Sequence, residues 1–109
     1  MRLLLTFLFV CSLLFTNNAN QSLAADLEAG AQIFTANCSA CHSGGNNAIM
    51  PEKTLKSDAL KDNSMDSISA ITNQVKNGKN AMPAFGGRLA DEDIDNVANY
   101  VLSQSEQGW

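Results

Sequence analysis

The chain has 109 residues, of which 17% are charged, and its 11 acidic and 7 basic side chains give a formal charge of −4. This length suffices for one small domain with a limited core. Because the chain is acidic and has no run of basic residues, nucleic acid is not an expected partner.

Residues 1–24 are predicted to form a secretory signal peptide that is removed from a mature domain of residues 25–109. The segment begins with a positive residue, continues with an apolar stretch over residues 3–15 and ends in small residues, with cleavage after Ala24. The stretch is too short to span a bilayer, so we expect no membrane insertion after cleavage. The alternatives are cleavage after Ala25, and an uncleaved anchor or buried helix.

Cleavage changes the charge and the cysteine count of the chain. Loss of Arg2 leaves six basic against eleven acidic residues, a formal charge of −5, and Cys38 and Cys41 become the only cysteines. Export predicts an oxidising compartment, but a disulfide between residues this close would close a very small loop and add little stability. The mature chain has few aromatic residues, and a large apolar cofactor would compensate for its thin core.

The first helix of the mature domain is predicted from Leu27 to near His42. Asp26 is a favourable N-cap residue for it. One face of this helix carries residues at spacings of four, three and four: Leu27, Ala31, Phe34 and Cys38. Gly30 lies on the same side and would let a second helix approach closely. The Ser-Gly-Gly-Asn-Asn stretch that follows is turn-forming, and residues 48–56 indicate a loop.

A short helical turn is predicted from Ser57 or Asp58 through Leu60, and a clearer helix follows it. Asp66 or Ser67 caps this second helix. Its apolar positions and its C-terminal stop are Ile68, Ile71, Val75 and Gly78.

The last helix is predicted from about Asp91 to Gln104. Its first turn is acidic, which suits the positive end of the helix dipole. Its apolar stripe consists of Ile94, Val97, Ala98 and Val101. Because no segment shows a strand-like alternation of useful length, the predicted fold class is all-α.

The clearest chemical motif is the C-x-x-C-H formed by Cys38, Cys41 and His42. Two thiols on one helical turn can each form a thioether with a vinyl group of haem, and the imidazole that follows then reaches the iron. Neutral imidazole is a good iron ligand, and its other ring nitrogen usually donates to a carbonyl that fixes the tautomer. His42 is the only histidine, so the opposite ligand must be another residue type.

Two other interpretations of this motif are weaker. A thioredoxin-type C-x-x-C is expected beside a strand–helix–strand pattern, which this chain lacks. A structural zinc site needs four protein ligands, and the motif supplies only three. The motif therefore predicts one covalently attached haem c per chain, with its iron.

Met82 is the predicted second axial ligand. Methionine–histidine ligation raises the haem potential into the range of electron carriers. Met82 follows a helix stop and precedes Pro83, so an extended loop can present its thioether to the haem. Met50 and Met65 are interpreted as packing residues, because methionine readily fills gaps in a core. An iron with both axial positions filled has no open site for a substrate, which predicts an electron carrier and not an enzyme.

These residues resemble the cytochrome c6 family of cyanobacteria and algal plastids over essentially the whole mature chain. The haem motif is common to all class I c-type cytochromes, whereas the Met82 segment and the terminal Gly-Trp are more particular to this family. The matching segments are Ala25-Asp26-Leu27 with Gly30 and Phe34, Asn37 to His42, Lys76 to Phe85, Gly87-Arg88-Leu89, Tyr100-Val101-Leu102 and Gly108-Trp109.

The resemblance implies a class I cytochrome c fold of about four helices around one covalent haem, in which Gly30 and Phe34 cross Tyr100. It implies axial ligation by His42 and Met82. It also implies a soluble, monomeric carrier in the thylakoid lumen of an alga or of a cyanobacterium. Its electron donor would be the cytochrome b6-f complex, and its acceptor would be photosystem I.

Three further residues acquire a meaning from the resemblance. Gln74 matches a glutamine that the family places near the haem, where it influences the potential. Arg88 matches an arginine linked to docking at photosystem I, and the alternative is a surface arginine or one paired with a haem propionate. Ala90 stands where the family often has a Ser or Thr cap, at a cost of about 1 kcal/mol in helix stability.

Other functions make different demands on the same residues. A haem-based sensor requires Met82 to be absent or easily displaced, and an enzyme requires an open haem position or a free thiol pair. A bacterial cytochrome that feeds a terminal oxidase shares the haem motif, but the Met82 segment and the C-terminal tail favour photosynthesis. The residues expected to pack the haem are Phe34, Ile71, Val75 and Phe85, together with the last helix.

Overall fold

The computed structural model describes the backbone of residues 21–109 and the side chains of residues 27–109. Most of the predicted signal peptide therefore lies outside the described residues. Five α-helices form the described part: α1 (Gln21–Asn37), α2 (Ser39–His42), α3 (Ser57–Asp62), α4 (Ile68–Asn77) and α5 (Asp91–Gln107). There is no β-sheet between residues 21 and 109, so the all-α prediction is confirmed. Within the same range, no helix combines the length and the apolar character needed to cross a membrane.

The first helix begins earlier than predicted. Helix α1 already includes Gln21, the first residue that the structure describes, six residues before the expected start at Leu27. Asp26 is therefore inside the helix and is not its N-cap, so that prediction is wrong. The residues from 21 to 26 include no glycine or proline, and alanine has the highest helix propensity, so nothing in this stretch interrupts the helix.

The single helix predicted up to His42 is divided at Cys38. Cys38 has a φ of −119° and a ψ of −29°, and it forms a turn between α1 and α2. Two hydrogen bonds still keep helical spacing across the junction. The Cys38 N–H donates to the Phe34 carbonyl at 2.8 Å, and the His42 N–H donates to the Cys38 carbonyl at 2.9 Å. The C-x-x-C-H residues therefore form a compact turn attached to the end of α1.

Both ends of α4 agree with the sequence signals. Ser67, and not Asp66, is the N-cap, because its hydroxyl accepts the Ala70 N–H at 3.1 Å. Gly78 ends the helix with a φ of 72°, and its N–H donates to the Gln74 carbonyl at 2.7 Å. A residue with positive φ at this position is the usual way to stop an α-helix.

Helices α3 and α5 extend further than predicted, to Asp62 and Gln107 respectively. Helix α5 begins at Asp91 as predicted. Ala90 occupies its N-cap position and has no side-chain acceptor there. Asp93 completes half of a capping box, because its carboxylate accepts the Ala90 backbone N–H at 3.2 Å.

The crossing of α1 and α5 forms the centre of the core. Gly30 is buried at this crossing, where a Cβ would overlap the Asn96 carbonyl oxygen and lie 2.8 Å from the Cβ of Tyr100. Phe34, one turn further along α1, packs on Tyr100 with ring centroids 5.4 Å apart. The predicted crossing is therefore confirmed. The other buried residues of this core are Ile71, Val75, Phe85, Ile94, Val97, Ala98 and Val101.

We expect Gly30→Ala to lower the free energy of unfolding by about 1–3 kcal/mol, because the added methyl group forces α1 and α5 apart. Chemical denaturation of the purified protein measures this change. Gln32→Ala is the matched control at an exposed position of the same helix, with an expected change below about 0.5 kcal/mol. An equally small change for Gly30→Ala would contradict the close approach of the two helices.

Candidate cofactor site

A largely apolar cleft of about 260 Å³ lies between the helices, and each of the five contributes to its wall. The residues predicted to pack a haem all line it: Phe34, Ile71, Val75 and Phe85, with Val97 and Val101 of α5. Most of the predicted site residues line it as well: Cys38, Cys41, His42, Gln74 and Met82. Folding therefore gathers into one cleft predicted site residues that are up to 44 positions apart in sequence, from Cys38 to Met82.

Cys38 and Cys41 enter the cleft at the end of α1 and from α2. Their thiols are free and are not joined in a disulfide. Cys38 is half-buried, and this burial raises the pKa of its thiol to about 11, whereas Cys41 is exposed. The Cys38 thiol is therefore neutral at physiological pH.

The backbone carbonyl of Asn46 orients the imidazole of His42. Nδ1 of His42 lies 3.0 Å from this oxygen. Because a carbonyl only accepts hydrogen bonds, Nδ1 carries the proton and Nε2 keeps its lone pair for a ligand. A short 3₁₀ helix, Ser43–Gly45, brings the carbonyl into place. This is the partner that a metal-ligating histidine commonly has.

Asn47 organises the loop that follows, a role that the sequence analysis did not predict. Its side-chain oxygen accepts the N–H groups of Ile49 and Met50 at 3.1 and 2.9 Å. Its side-chain amide donates to the Lys53 carbonyl at 2.9 Å, and Asn47 itself lines the cleft. The available signal was its place in a turn-forming stretch, because asparagine side chains often bond to the backbone two residues onward.

Met82 reaches the cleft from residues 79–86, the Met82 segment, which follows α4. A tight turn presents it, in which Lys79 and Met82 exchange two backbone hydrogen bonds of 3.0 and 2.9 Å. Asn80 adopts a left-handed φ of 52° within this turn. The side-chain amide of Gln74 donates to the Met82 Sδ at 3.5 Å, which leaves the other lone pair of the sulfur available. Gln74 therefore contacts the predicted ligand atom directly.

The C-terminus of α4 holds the far end of the Met82 segment. The last carbonyl groups of an α-helix have no partner within the helix. In this structure the Phe85 N–H donates to the Val75 carbonyl at 2.9 Å. The Gly86 N–H donates to the Lys76 carbonyl at 3.0 Å. Two of the last carbonyls of α4 are thus satisfied by the segment that carries the thioether.

The remaining residues singled out from the sequence lie at the edges of this arrangement. Met65 packs against the core, in agreement with its interpretation as a packing residue, and Met50 forms part of the cleft wall. Arg88 is exposed and is not part of the cleft wall. Its guanidinium carbon lies 4.8 Å from the centre of the Phe85 ring, which is a cation–π distance.

The donor set and the walls of the cleft fit a haem c. Two thiols at C-x-x-C spacing, an imidazole with a free Nε2 and a thioether share one cleft with apolar walls. Zinc fits less well. In the part of the chain that the structure describes, His, Cys, Asp and Glu side chains form no group of three or more that could hold a metal ion.

The chain is similar to known cytochromes along its whole length. The family described as "Cytochrome C oxidase, cbb3-type, subunit III" matches residues 25–101. A cytochrome c6 from Gracilaria tenuistipitata var. liui is 74% identical over 109 residues, 100% of both chains. A cytochrome c6 from Bumilleriopsis filiformis is 76% identical over 85 residues, 78% of this chain and 99% of the relative. The crystal structure of cytochrome c6 from the diatom Phaeodactylum tricornutum has a TM-score of 0.74 at 59% identity, with 76% of this chain and 98% of that chain covered.

We expect Gly78→Ala to displace the Met82 segment. Gly78 has a φ of 72° and a ψ of 173°, a conformation that essentially only glycine adopts. A Cβ at this position would also lie 2.8 Å from the Met82 carbonyl oxygen. The haem-loaded variant is therefore expected to lose most of the weak far-red absorption band that reports iron–methionine sulfur ligation.

Gly87→Ala is the matched control for this experiment. Gly87 also has a positive φ, 83°, but a Cβ there would have nothing within 4 Å. The control therefore strains the backbone without displacing the segment, and its far-red band should remain. Retention of the band in both variants would refute the packing argument.

Proposed function

The chain belongs to the cytochrome c6 family, and we propose that its mature form, residues 25–109, carries electrons from the cytochrome b6-f complex to photosystem I in the thylakoid lumen. Cytochrome c6 is an electron-transfer protein with covalently bound haem c, so the chain is not an enzyme. The observation that carries the proposal is the apolar cleft reached from separate elements by a histidine and a methionine, each oriented by backbone hydrogen bonds.

In this proposal Cys38 and Cys41 hold the haem through thioether bonds, and His42 and Met82 are the axial ligands. All four side chains line the cleft, which supports the assignment. The bound haem supplies a one-electron couple, and histidine–methionine ligation raises its potential. His42 presents Nε2 because its Nδ1 proton is held by the Asn46 carbonyl.

The apolar walls and Gln74 act on the potential in this proposal. Phe34, Ile71 and Val75 are buried, and they give the cleft an apolar wall. An apolar surrounding disfavours the more highly charged oxidised iron. The Gln74 amide donates to the ligand sulfur at 3.5 Å, so it acts on the electron density of that atom. We therefore assign Gln74 to tuning of the potential.

The competing functions receive less support. A sensor needs an easily displaced sixth ligand. The backbone of Met82, however, is hydrogen-bonded to that of Lys79, and the Phe85 N–H is hydrogen-bonded to the end of α4. A donor to a terminal oxidase is consistent with the cbb3-type family match to residues 25–101. The Gracilaria cytochrome c6, however, matches the full chain, including residues 102–109.

The lumenal location rests on the predicted cleavage after Ala24. The Bumilleriopsis relative supports it, because the 85 matched residues equal the length of residues 25–109 and make up 99% of that protein. Cleavage there would also remove residues 21–24 of α1. The mature carrier is proposed to be a monomer.

Arg88 is proposed to take part in docking at photosystem I. Its side chain is exposed and stacks on Phe85, which also lines the cleft, so a positive charge lies beside the cofactor site. Ile49, 59% exposed on the histidine-side loop, adds an apolar group close to the same cleft. Charges at the rim of a contact mainly set the association rate, and Lys79 is a second candidate for this role.

We expect Met82→Ala to open the sixth iron position. The low-spin spectrum should be lost in favour of a high-spin or ligand-sensitive one, and the far-red band should disappear, because no thioether is left on that segment. Met65→Ala is the matched control, since Met65 also lines the cleft but is a packing residue. A low-spin spectrum with the far-red band in Met82→Ala would disprove the ligand assignment.

Photosystem I reduction after a light flash tests the proposed function. The unsubstituted, reduced protein should re-reduce photosystem I in a second-order reaction. We expect Arg88→Glu to lower this rate constant by roughly three- to tenfold and to change its salt dependence, because rim charges steer association.

Lys61→Glu is the control for net charge, since Lys61 is also exposed and the substitution changes the charge by the same amount. Equal slowing in both variants would assign the effect to overall charge and remove Arg88 from docking. Failure of the unsubstituted protein to reduce photosystem I would contradict the proposed acceptor.

A further inference from the structure

We propose that Trp109, the last residue of the chain, is a positioning residue for His42. Its indole contacts both ends of residues 45–55 and holds this segment in place. The Asn46 carbonyl within the segment orients the imidazole. The proposal rests on the proposed role of His42 as an iron ligand. It goes beyond that role by assigning a purpose to the C-terminal side chain.

A hydrogen bond joins the indole to this segment across 54 positions of sequence. The Nε1–H of Trp109 donates to the Leu55 carbonyl at 2.9 Å. The Leu55 N–H in turn donates to the Gly45 carbonyl at 2.8 Å. The first bond connects the indole to Leu55, at the end of the segment. The second connects Leu55 to Gly45, at its beginning.

The indole also packs directly on the beginning of the segment. Gly45 is buried, and a Cβ at this position would overlap the Cγ, Cδ1 and Cδ2 atoms of Trp109. Gly45 has a φ of 75°, so both its backbone conformation and the adjacent ring require the absence of a side chain. Asn46 is the next residue. The carbonyl that orients the imidazole therefore directly follows the backbone that the indole covers.

Trp109 is itself held by the crossing of α1 and α5. Helix α5 ends at Gln107, and Gly108 caps it: the Gly108 N–H donates to the Gln104 carbonyl at 2.8 Å, and its φ of 95° redirects the chain. The Trp109 ring then lies 5.2 Å from the Phe34 ring and 6.0 Å from the Tyr100 ring, measured between centroids. The segment that orients the histidine is thereby connected to the centre of the core.

The hydrogen bond from the indole N–H distinguishes a positioning role of Trp109 from a role in packing alone. A phenylalanine in this place would supply a ring for the aromatic cluster, but it has no donor for the Leu55 carbonyl. Loss of the donor should therefore let the Asn46 carbonyl separate more often from Nδ1 of His42. The α1–α5 crossing should remain closed, because the aromatic contacts with Phe34 persist.

Hydrogen exchange, measured by NMR on the reduced, haem-loaded protein, tests this proposal. The local reporters are the Nδ1–H of His42 and the backbone N–H of Leu55. The backbone N–H groups of Val97 and Val101 report opening of the whole fold. We expect Trp109→Phe to make exchange at the two local reporters about fivefold to tenfold faster, the effect of losing one hydrogen bond, with the α5 amides unchanged.

Tyr100→Phe is the matched control. It removes a hydroxyl from the same aromatic cluster, and that hydroxyl is bonded to Gln104 and not to residues 45–55. It should leave exchange at the local reporters unchanged. Trp109→Ala removes the ring as well as the donor and should accelerate the local reporters further. If that variant does not accumulate with haem, the Trp109→Phe comparison decides alone.

Two results would overturn the proposal. One is unchanged exchange at the local reporters in Trp109→Phe, and the other is equal acceleration at the local reporters and at the α5 amides. Either result leaves the low-spin spectrum of the unsubstituted protein intact. Failure of His42 as a ligand would instead remove that spectrum from the unsubstituted protein, so the two failures are distinguishable.

Discussion

The packing of α1 across α5 at Gly30 is the contact on which the rest of the structure depends. Because Gly30 has no side chain, the two backbones approach closely enough for Phe34 and Tyr100 to stack at 5.4 Å. The same helices present Phe34, Val97 and Val101 to the cleft. In a domain with few other large side chains, the cofactor site and the core therefore share one set of residues.

Both candidate iron ligands lie where a helix ends or has ended: His42 is the last residue of α2, and Met82 lies in the segment after α4. His42 is held by the Asn46 carbonyl, and Asn47 organises the loop beyond it. Met82 is held by its exchange of bonds with Lys79. Specific hydrogen bonds therefore fix the backbone on both sides of the cleft.

Local signals predicted well those features whose partners are local. Ser67 and Gly78 were readable as the ends of α4, because caps act over three or four residues. The start of α1 was misjudged at Asp26, because a capping residue is a weak signal where the residues before it also favour a helix. The contacts of Trp109 were not readable, since its hydrogen-bond partner is 54 residues away.

The sequence by itself determined the helical class and the C-x-x-C-H motif, and it predicted His42 and Met82 as ligands, because these follow from residue identity and short spacings. Gly30 indicated the close approach of a second helix, whereas the crossing with Tyr100 was implied only by the resemblance to the family. Only the tertiary structure decided which groups hydrogen-bond to the Met82 segment and which segment the C-terminal Trp109 contacts. Those contacts join residues that are distant in the chain, such as Phe85 with Val75 and Trp109 with Leu55, and no periodicity encodes a pairing that exists only after the helices have packed.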